Sequence, residues 1–308
     1  MFVICFGDGL GNQMFQYAFY KAMQHNYPCN DVKMDIFHIY GGHIHNGFEL
    51  STIFNIPVNE CYYKNALALS DYFPRHLKKY WLLNRLSGVR RYFFGQKESY
   101  IEQEDPTCYY EEVFQLSELK SYILKGNWVN EKYFSKYRNE LIKDFSFPEF
   151  DEPWNLHYVE KIKDTNAVSV HIRKGDYVNS GMLNLDIQYY RKAKSIIESE
   201  VKNPVYYIFT DEKSSILEYL KIFEKYTLIE GNSGNKSYRD MQLMSLCKHN
   251  IIANSTFSFW GAYLNDNEDR IVIAPNKAKY DFRNPFACKE WIIIPYNGET
   301  KAEVPRKE

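Results

Sequence analysis

The sequence predicts an α/β protein made of two doubly wound domains. Three observations carry that expectation. The chain has 308 residues, more than one small core accommodates and enough for two domains of ordinary size. It opens with a β-turn-α-β pattern. From about residue 165 onward, short apolar runs alternate with helical periods, the signature of a parallel sheet with helical crossovers.

FVICF (2–6) reads as a buried strand and GDGLGN (7–12) as a turn. The following stretch sets Met14, Phe15, Ala18, Phe19, Ala22 and Met23 at the i, i+3/i+4 spacing of a helix, and VKMDI (32–36) returns to strand. Residues 37–150 are rich in Tyr and Phe, with helical pieces expected around 66–86 and 111–122 and a loop leading into a helix over 126–145. FSFPEFDEPWN (145–155) mixes prolines, acids and aromatics without a period and is the expected linker, dividing the chain into domains 1–150 and 151–308. Beyond it come strand 168–172, helix 186–200, strand 205–210, helix SILEYLKIF, strand 227–229, helix YRDMQLMSLCKH, strand 250–254 and helix STFSFWGAYLN. Strand 270–274 closes the expected series.

A hydrophobic content of 45% marks a folded chain, and a formal net charge of −1 argues against a nucleic-acid partner. The basic clusters RHLKKYW (75–81) and GVRRYFFG (88–95) read as solvated surface, with contact to an anionic membrane surface as the alternative. Six scattered cysteines without a CxxC spacing do not make a disulfide framework. The start lacks a charged leader and no run approaches the length of a membrane span, so the expected location is the reducing cytoplasm, in reach of the inner membrane face.

In a doubly wound sheet, ligands sit at the carboxyl ends of the strands. Four polar clusters fall there: GDGLGN, HIRKGDY (171–177), TDE (210–212) and NSTFS (254–258). Ser255, Thr256 and Ser258 open a helix directly after a buried strand, which makes a phosphate site or a plain N-cap. Arg173 has the planar fork that suits a diphosphate, or pairs with Asp176. Asp211 is positioned to meet a ribose or base, or to cap the next helix. GDGLGN is a near-match to a dinucleotide turn with Asp35 near the place of the ribose-binding acid, but Asn12 stands where the third glycine belongs. His38, His43 and His45 read as loop histidines, because no paired carboxylates or HExxH accompany them.

GLGNQMFQYA, HIRKGDY, FTDE and DMQLMSLCKHNIIANSTFSFWGAYLN together resemble the signature blocks of the bacterial α-1,2-fucosyltransferases of glycosyltransferase family 11, in order and over nearly the whole chain. The resemblance implies a GT-B fold, two Rossmann-like domains facing a central cleft. It implies an inverting transfer from GDP-β-L-fucose to a galactose-terminated oligosaccharide or lipid-linked glycan, with no metal and no other cofactor. By resemblance, Arg173 binds the β-phosphate, with Lys174 beside it. His171 and Asp240 hold the guanine nucleotide, and Asp211 lies by the nucleoside. Asn254, Ser255, Thr256, Phe257 and Ser258 wrap the diphosphate, while Gly11, Asn12 and Gln13 reach toward the fucose. The expected general base is Asp176, with Asp8, His45 and Glu49 as rivals. Three departures stand out: Lys174 replaces the usual second Arg, Asp8 replaces a glycine, and Val129 follows Trp128 where a Gln is common, with Asn130 next to it. The competing classes are a same-fold glycosyltransferase with another donor or linkage, an NAD-dependent sugar-nucleotide oxidoreductase and a glycan-binding protein without activity.

Overall fold

Phe2–Cys5 (β1) is apolar at every position and buried at every position, as a strand in the interior of a parallel sheet must be. The computed structural model describes residues 1–36, 46–70, 72–73, 78–175, 183–278 and 285–298. They divide into two compact units, Met1–Ser146 and Phe147–Glu308.

In the first unit β1 pairs in parallel with Val32–Asp35 (β2) and with Tyr122–Lys125 (β4), and β4 pairs with Tyr100–Glu102 (β3), giving the order β2-β1-β4-β3. The helices are Leu10–Asn26 (α1), Leu50–Phe54 (α2), Tyr63–Ser70 (α3), Trp81–Phe94 (α4) and Arg138–Asp144 (α5). The helix expected over 111–122 is only a 3-10 turn, Glu111–Gln115, and Tyr122 starts β4 instead. There YIL is buried beside β1, and sheet burial overrides local helical preference. The piece expected over 66–86 separates into α3 and α4.

The second unit contains Pro153–Lys163 (α6), Asn166–Ile172 (β5), Ile187–Glu200 (α7), Pro204–Thr210 (β6), Leu217–Leu220 (α8), Tyr226–Leu228 (β7), Tyr238–Leu246 (α9), His249–Ile251 (β8), Thr256–Tyr263 (α10), Val272–Pro275 (β9) and Ile292–Ile294 (β10). All six strands are parallel, in the order β10-β9-β8-β5-β6-β7. Numbered within the unit this is 6-5-4-1-2-3, the Rossmann order. The edge strand β10 lies beyond the expected end of the series, and SILEYLKIF forms only a 3-10 turn and the short α8. Along β5, Val168, Val170 and Ile172 pack toward Tyr189, Tyr190 and Ala193 of α7. Ala167 packs on the other face with Leu243 and Met244 of α9. The two-residue period puts His171 on that second face.

The segment expected as a linker is anchored above all by Arg239, with Gln242 and Lys236 beside it. Arg239 is almost fully buried. Its guanidinium donates to the carbonyls of Pro148 (2.7 Å) and Glu149 (2.8 Å), to Gln242 Oε1 (2.8 Å) and to Asp151 Oδ1 (2.9 Å). It also pairs with Glu152 at 3.2 Å and lies over the Phe150 ring at 4.9 Å. A buried guanidinium is tolerated only when its N–H groups are met in this way.

Candidate active site

In the six-stranded sheet the winding direction reverses between β5 and β8, and ligands of such sheets bind outside the strand ends at that point. β5 delivers His171, Arg173 and Lys174 there, and β8 leads into Asn254, Ser255 and α10. The two ends meet where the His171 and Phe257 rings lie 6.1 Å apart. His171 is buried, and its Nδ1 has no hydrogen-bond partner among the described residues. Burial, reinforced by the Arg173 cation, pushes its pKa down to about 3, so the imidazole is neutral across the physiological range. Tyr190 Oη donates to the His171 carbonyl at 3.0 Å, and Tyr189 Oη donates to the Ile252 carbonyl at 2.7 Å. Adjacent tyrosines of α7 thus fix both strand ends.

Asp211, at the end of β6, organises the turn after β5. Its carboxylate accepts from the backbone N–H of Lys174 (3.0 Å) and of Gly175 (3.1 Å) and pairs with Arg173 Nε at 3.0 Å. A Cβ on Gly175 would lie 2.8 Å from Asp211 Oδ2, so a side chain there would push the bracing carboxylate aside. Asp211 is therefore the brace of the Arg173 turn. The Lys174 ammonium lies 4.6 Å from the Tyr219 ring centre.

α10 begins with no side-chain cap and no acidic residue in its first turn. The first intrahelical bond runs from Phe259 N to the Ser255 carbonyl, so the N–H groups of Thr256, Phe257 and Ser258 precede the helical ladder. That is the arrangement that binds anions. Two hydroxyl or amide groups expected at the diphosphate are engaged elsewhere. Ser258 Oγ donates back to the Ala253 and Ser255 carbonyls, and Asn254 Nδ2 donates to the Leu183 carbonyl at 2.8 Å. Ser255 is buried, while Thr256 and Phe257 are half-buried at the helix start.

Asp240 sits in the first turn of α9. Burial pushes its pKa up to about 7, against the opposing effects of the Asn232 hydrogen bond and the Lys213 cation. Asn232 donates to Asp240 Oδ1 at 2.8 Å and is itself held by Asn155, which donates to Glu152 at 3.0 Å. Asn232 follows Gly231, whose φ of +97° and 2.6 Å Cβ clearance to Trp154 Nε1 exclude a side chain. Neither Asn232 nor Asn155 carried a sequence signal, since isolated asparagines in loops and helix starts are common.

In the first unit the GDGLGN turn follows β1, which pairs with β2 on one side and β4 on the other, where the strand order reverses. Asp8 is exposed, with φ +61°, and its Oδ2 accepts from Asn12 Nδ2 (3.2 Å) and Asn127 Nδ2 (3.3 Å). A left-handed conformation explains why glycine suits this place and why Asp is a tolerated replacement. Gln13 is fully buried: its Nε2 donates to the carbonyls of Asp8 and Gly47, and its Oε1 accepts from Glu49 N. Gln13 is a clamp between two loops, with both ends of its amide engaged. Gly11 is buried in the first turn of α1, and Asn12 holds Asp8. Glu49 is buried and accepts from Asn46. Asp35 is fully buried beside Cys5, not exposed toward a ribose. Asn130 caps the turn at Lys132 and donates to the Thr107 carbonyl. Asp176 and the three loop histidines, His38, His43 and His45, lie outside the described residues.

A family model described as glycosyl transferase family 11 matches residues 1–295. The α-1,2-colitosyltransferase of Escherichia coli is 32% identical over 87% of this chain and 88% of that protein. The O-antigen biosynthesis glycosyltransferase WbnK of Escherichia coli is 29% identical over 89% of this chain and 93% of that protein. Galactoside α-(1,2)-fucosyltransferase 2 of Rattus norvegicus is 25% identical over 53% of this chain and 51% of that protein. A crystal structure of the α-1,6-fucosyltransferase NodZ soaked with GDP-fucose covers 85% of this chain and 92% of that one at 16% identity and a TM-score of 0.47, too loose to carry residue roles across. The family match spans all but the last residues of the sequence, and the chain belongs to glycosyltransferase family 11.

Proposed function

We propose that this glycosyltransferase moves L-fucose from GDP-β-L-fucose to the 2-hydroxyl of a terminal galactose, inverting the anomeric carbon and using no metal. The observation that carries the reading is the cationic, donor-rich switch point: Arg173 braced by Asp211, Lys174, and the uncapped start of α10. As GDP departs, negative charge grows on the β-phosphate while the sugar becomes oxocarbenium-like. Arg173, Lys174 and the N–H groups of Thr256, Phe257 and Ser258 meet that charge where it develops. His171 is a neutral partner for the nucleotide, and Asp240 accepts from the N1–H and 2-amino group of guanine. The acceptor hydroxyl attacks from the opposite face and gives its proton to Asp176 late in the reaction. The aromatic-rich first unit shapes the acceptor pocket, and relatives named as galactoside fucosyltransferases support a galactoside acceptor.

GDP release from GDP-fucose in excess chelator, with and without lactose, tests this. Lactose-dependent release in chelator is expected. Release abolished by the chelator would end the metal-free reading.

A second reading exchanges the donor sugar for colitose, the 3-deoxy counterpart of fucose, and is favoured by the 32% identical colitosyltransferase. Competition between the two GDP-sugars separates the readings. A site that hydrogen-bonds the 3-hydroxyl would reject colitose by roughly 10⁴-fold, whereas an apolar site would tolerate both within about 10²-fold.

A further inference from the structure

The helix α4 is mounted with its polar side toward the protein and its apolar side outward. At 100° per residue Leu82, Leu86, Val89 and Phe93 form one stripe, and each is between 56% and 71% exposed. Ser87 is its single buried residue. Asn84 Oδ1 accepts from Phe73 N at 3.2 Å, and the Arg91 guanidinium lies 4.2 Å from the Tyr72 ring centre, so the polar edge makes the attachment. Exposed Trp81 and Tyr92 stand near its two ends. The helical period places Arg85 on one side of the stripe and Arg90 on the other.

Charge indicates what covers this face. From Tyr72 to Lys97 the sequence has seven Lys and Arg residues and no Asp or Glu, in a chain whose net charge is −1. A second copy of the chain would set like charges against each other. Nucleic acid offers phosphates but nothing for a Leu-Val-Phe stripe. An anionic lipid surface takes both features: the stripe enters the acyl boundary, the aromatic ends sit at headgroup level and the arginines reach the phosphates.

We propose that α4, with the lysines just before it, docks this protein on an anionic bilayer, the helix lying in the membrane plane. No described helix is long and apolar enough to cross a membrane, so the contact is peripheral. The inference stands apart from the choice of donor sugar.

Co-sedimentation with phosphatidylglycerol–phosphatidylcholine vesicles, against pure phosphatidylcholine vesicles, tests it. Binding to the anionic vesicles that weakens with salt is expected. Leu86→Glu with Phe93→Glu should lower it more than about tenfold. Arg85→Glu with Arg90→Glu should lower it by at least roughly fivefold per lost charge. Leu86, Phe93 and Arg85 are exposed and Arg90 is half-buried with a bond to the Gly95 carbonyl; both double variants lie outside the site and should keep GDP release with a soluble acceptor. Equal binding to neutral vesicles, or unchanged binding of the Leu86/Phe93 variant, would overturn the proposal. So would a wild-type dimer that this variant dissociates, because the second copy would then be the occupant.

Discussion

Each unit starts a helix at a strand end beside the reversal of its strand order, α1 after β1 and α10 after β8, and the polar groups there are treated differently. In the first, side-chain amides after β1 and β4 serve the turn itself: Asn12 and Asn127 hold Asp8, Gln13 clamps two loops, and Gln16 accepts from Gly7 N while donating to Asn127. Both α1 and α10 start without a side-chain cap, so the difference lies at the strand end: in the second unit His171 Nδ1 is buried with no described partner. Unmet donors and acceptors at a strand end cost stability unless a ligand meets them. Topology nominates a switch point in each unit, and the partners of the polar side chains separate a turn that holds itself together around Asp8 from a strand end that leaves a buried imidazole nitrogen unmet.

The comparison breaks most visibly if Arg173 is dispensable. Arg173→Ala should lower turnover by about 10²–10³, read as GDP release, because one donor to a developing charge is removed. Retained turnover would move the diphosphate elsewhere. On the opposite side, Gln13→Ala should cost roughly 2–4 kcal/mol in denaturant unfolding, since it leaves buried backbone groups unmet. GDP affinity should stay unchanged; lost affinity with unchanged stability would place Gln13 among the ligand contacts.

Asp240 provides a pH test. In the proposed role Asp240 accepts from guanine and must be ionised, and the pKa of this group is raised to about 7. GDP affinity should therefore be full above that pH and fall toward about tenfold per unit below it. Calorimetric titration across pH reads the slope. Asp240→Asn should flatten it. Asn232→Ala should shift the break upward, because the Asn232 hydrogen bond favours the charged form. A pH-independent wild type would remove Asp240 from the nucleotide site.

The smallest effect is expected at Asp8. Asp8→Gly should stabilise the first unit by about 1 kcal/mol through relief of the left-handed backbone and leave turnover nearly unchanged. A collapse of turnover would instead make Asp8 the base in place of Asp176.

Much of the second unit was legible because its signals are local. VSVHI alternates at the period of a strand, and STFSFWG places hydroxyls at a helix start, so β5 and α10 could be located from residues alone. Where pairing was needed, reading was harder. β3, β4 and β10 are three or four residues long and exist as strands through their neighbours. The 111–122 stretch shows the same limit, since its end is drawn into the sheet by β1.

Residue types and order by themselves determined the α/β class, the clustering of chemistry at strand ends and the family. They did so because periodicity and motif spacing are properties of the chain. Tertiary structure alone decided that Asp211 braces Arg173, that Gln13 is a clamp, that Arg239 pins the segment before α6, and that Asp240 is desolvated. Each of these depends on which groups from distant sequence share a low-dielectric space, and hydrogen bonding and desolvation act through that proximity, not through position in the chain.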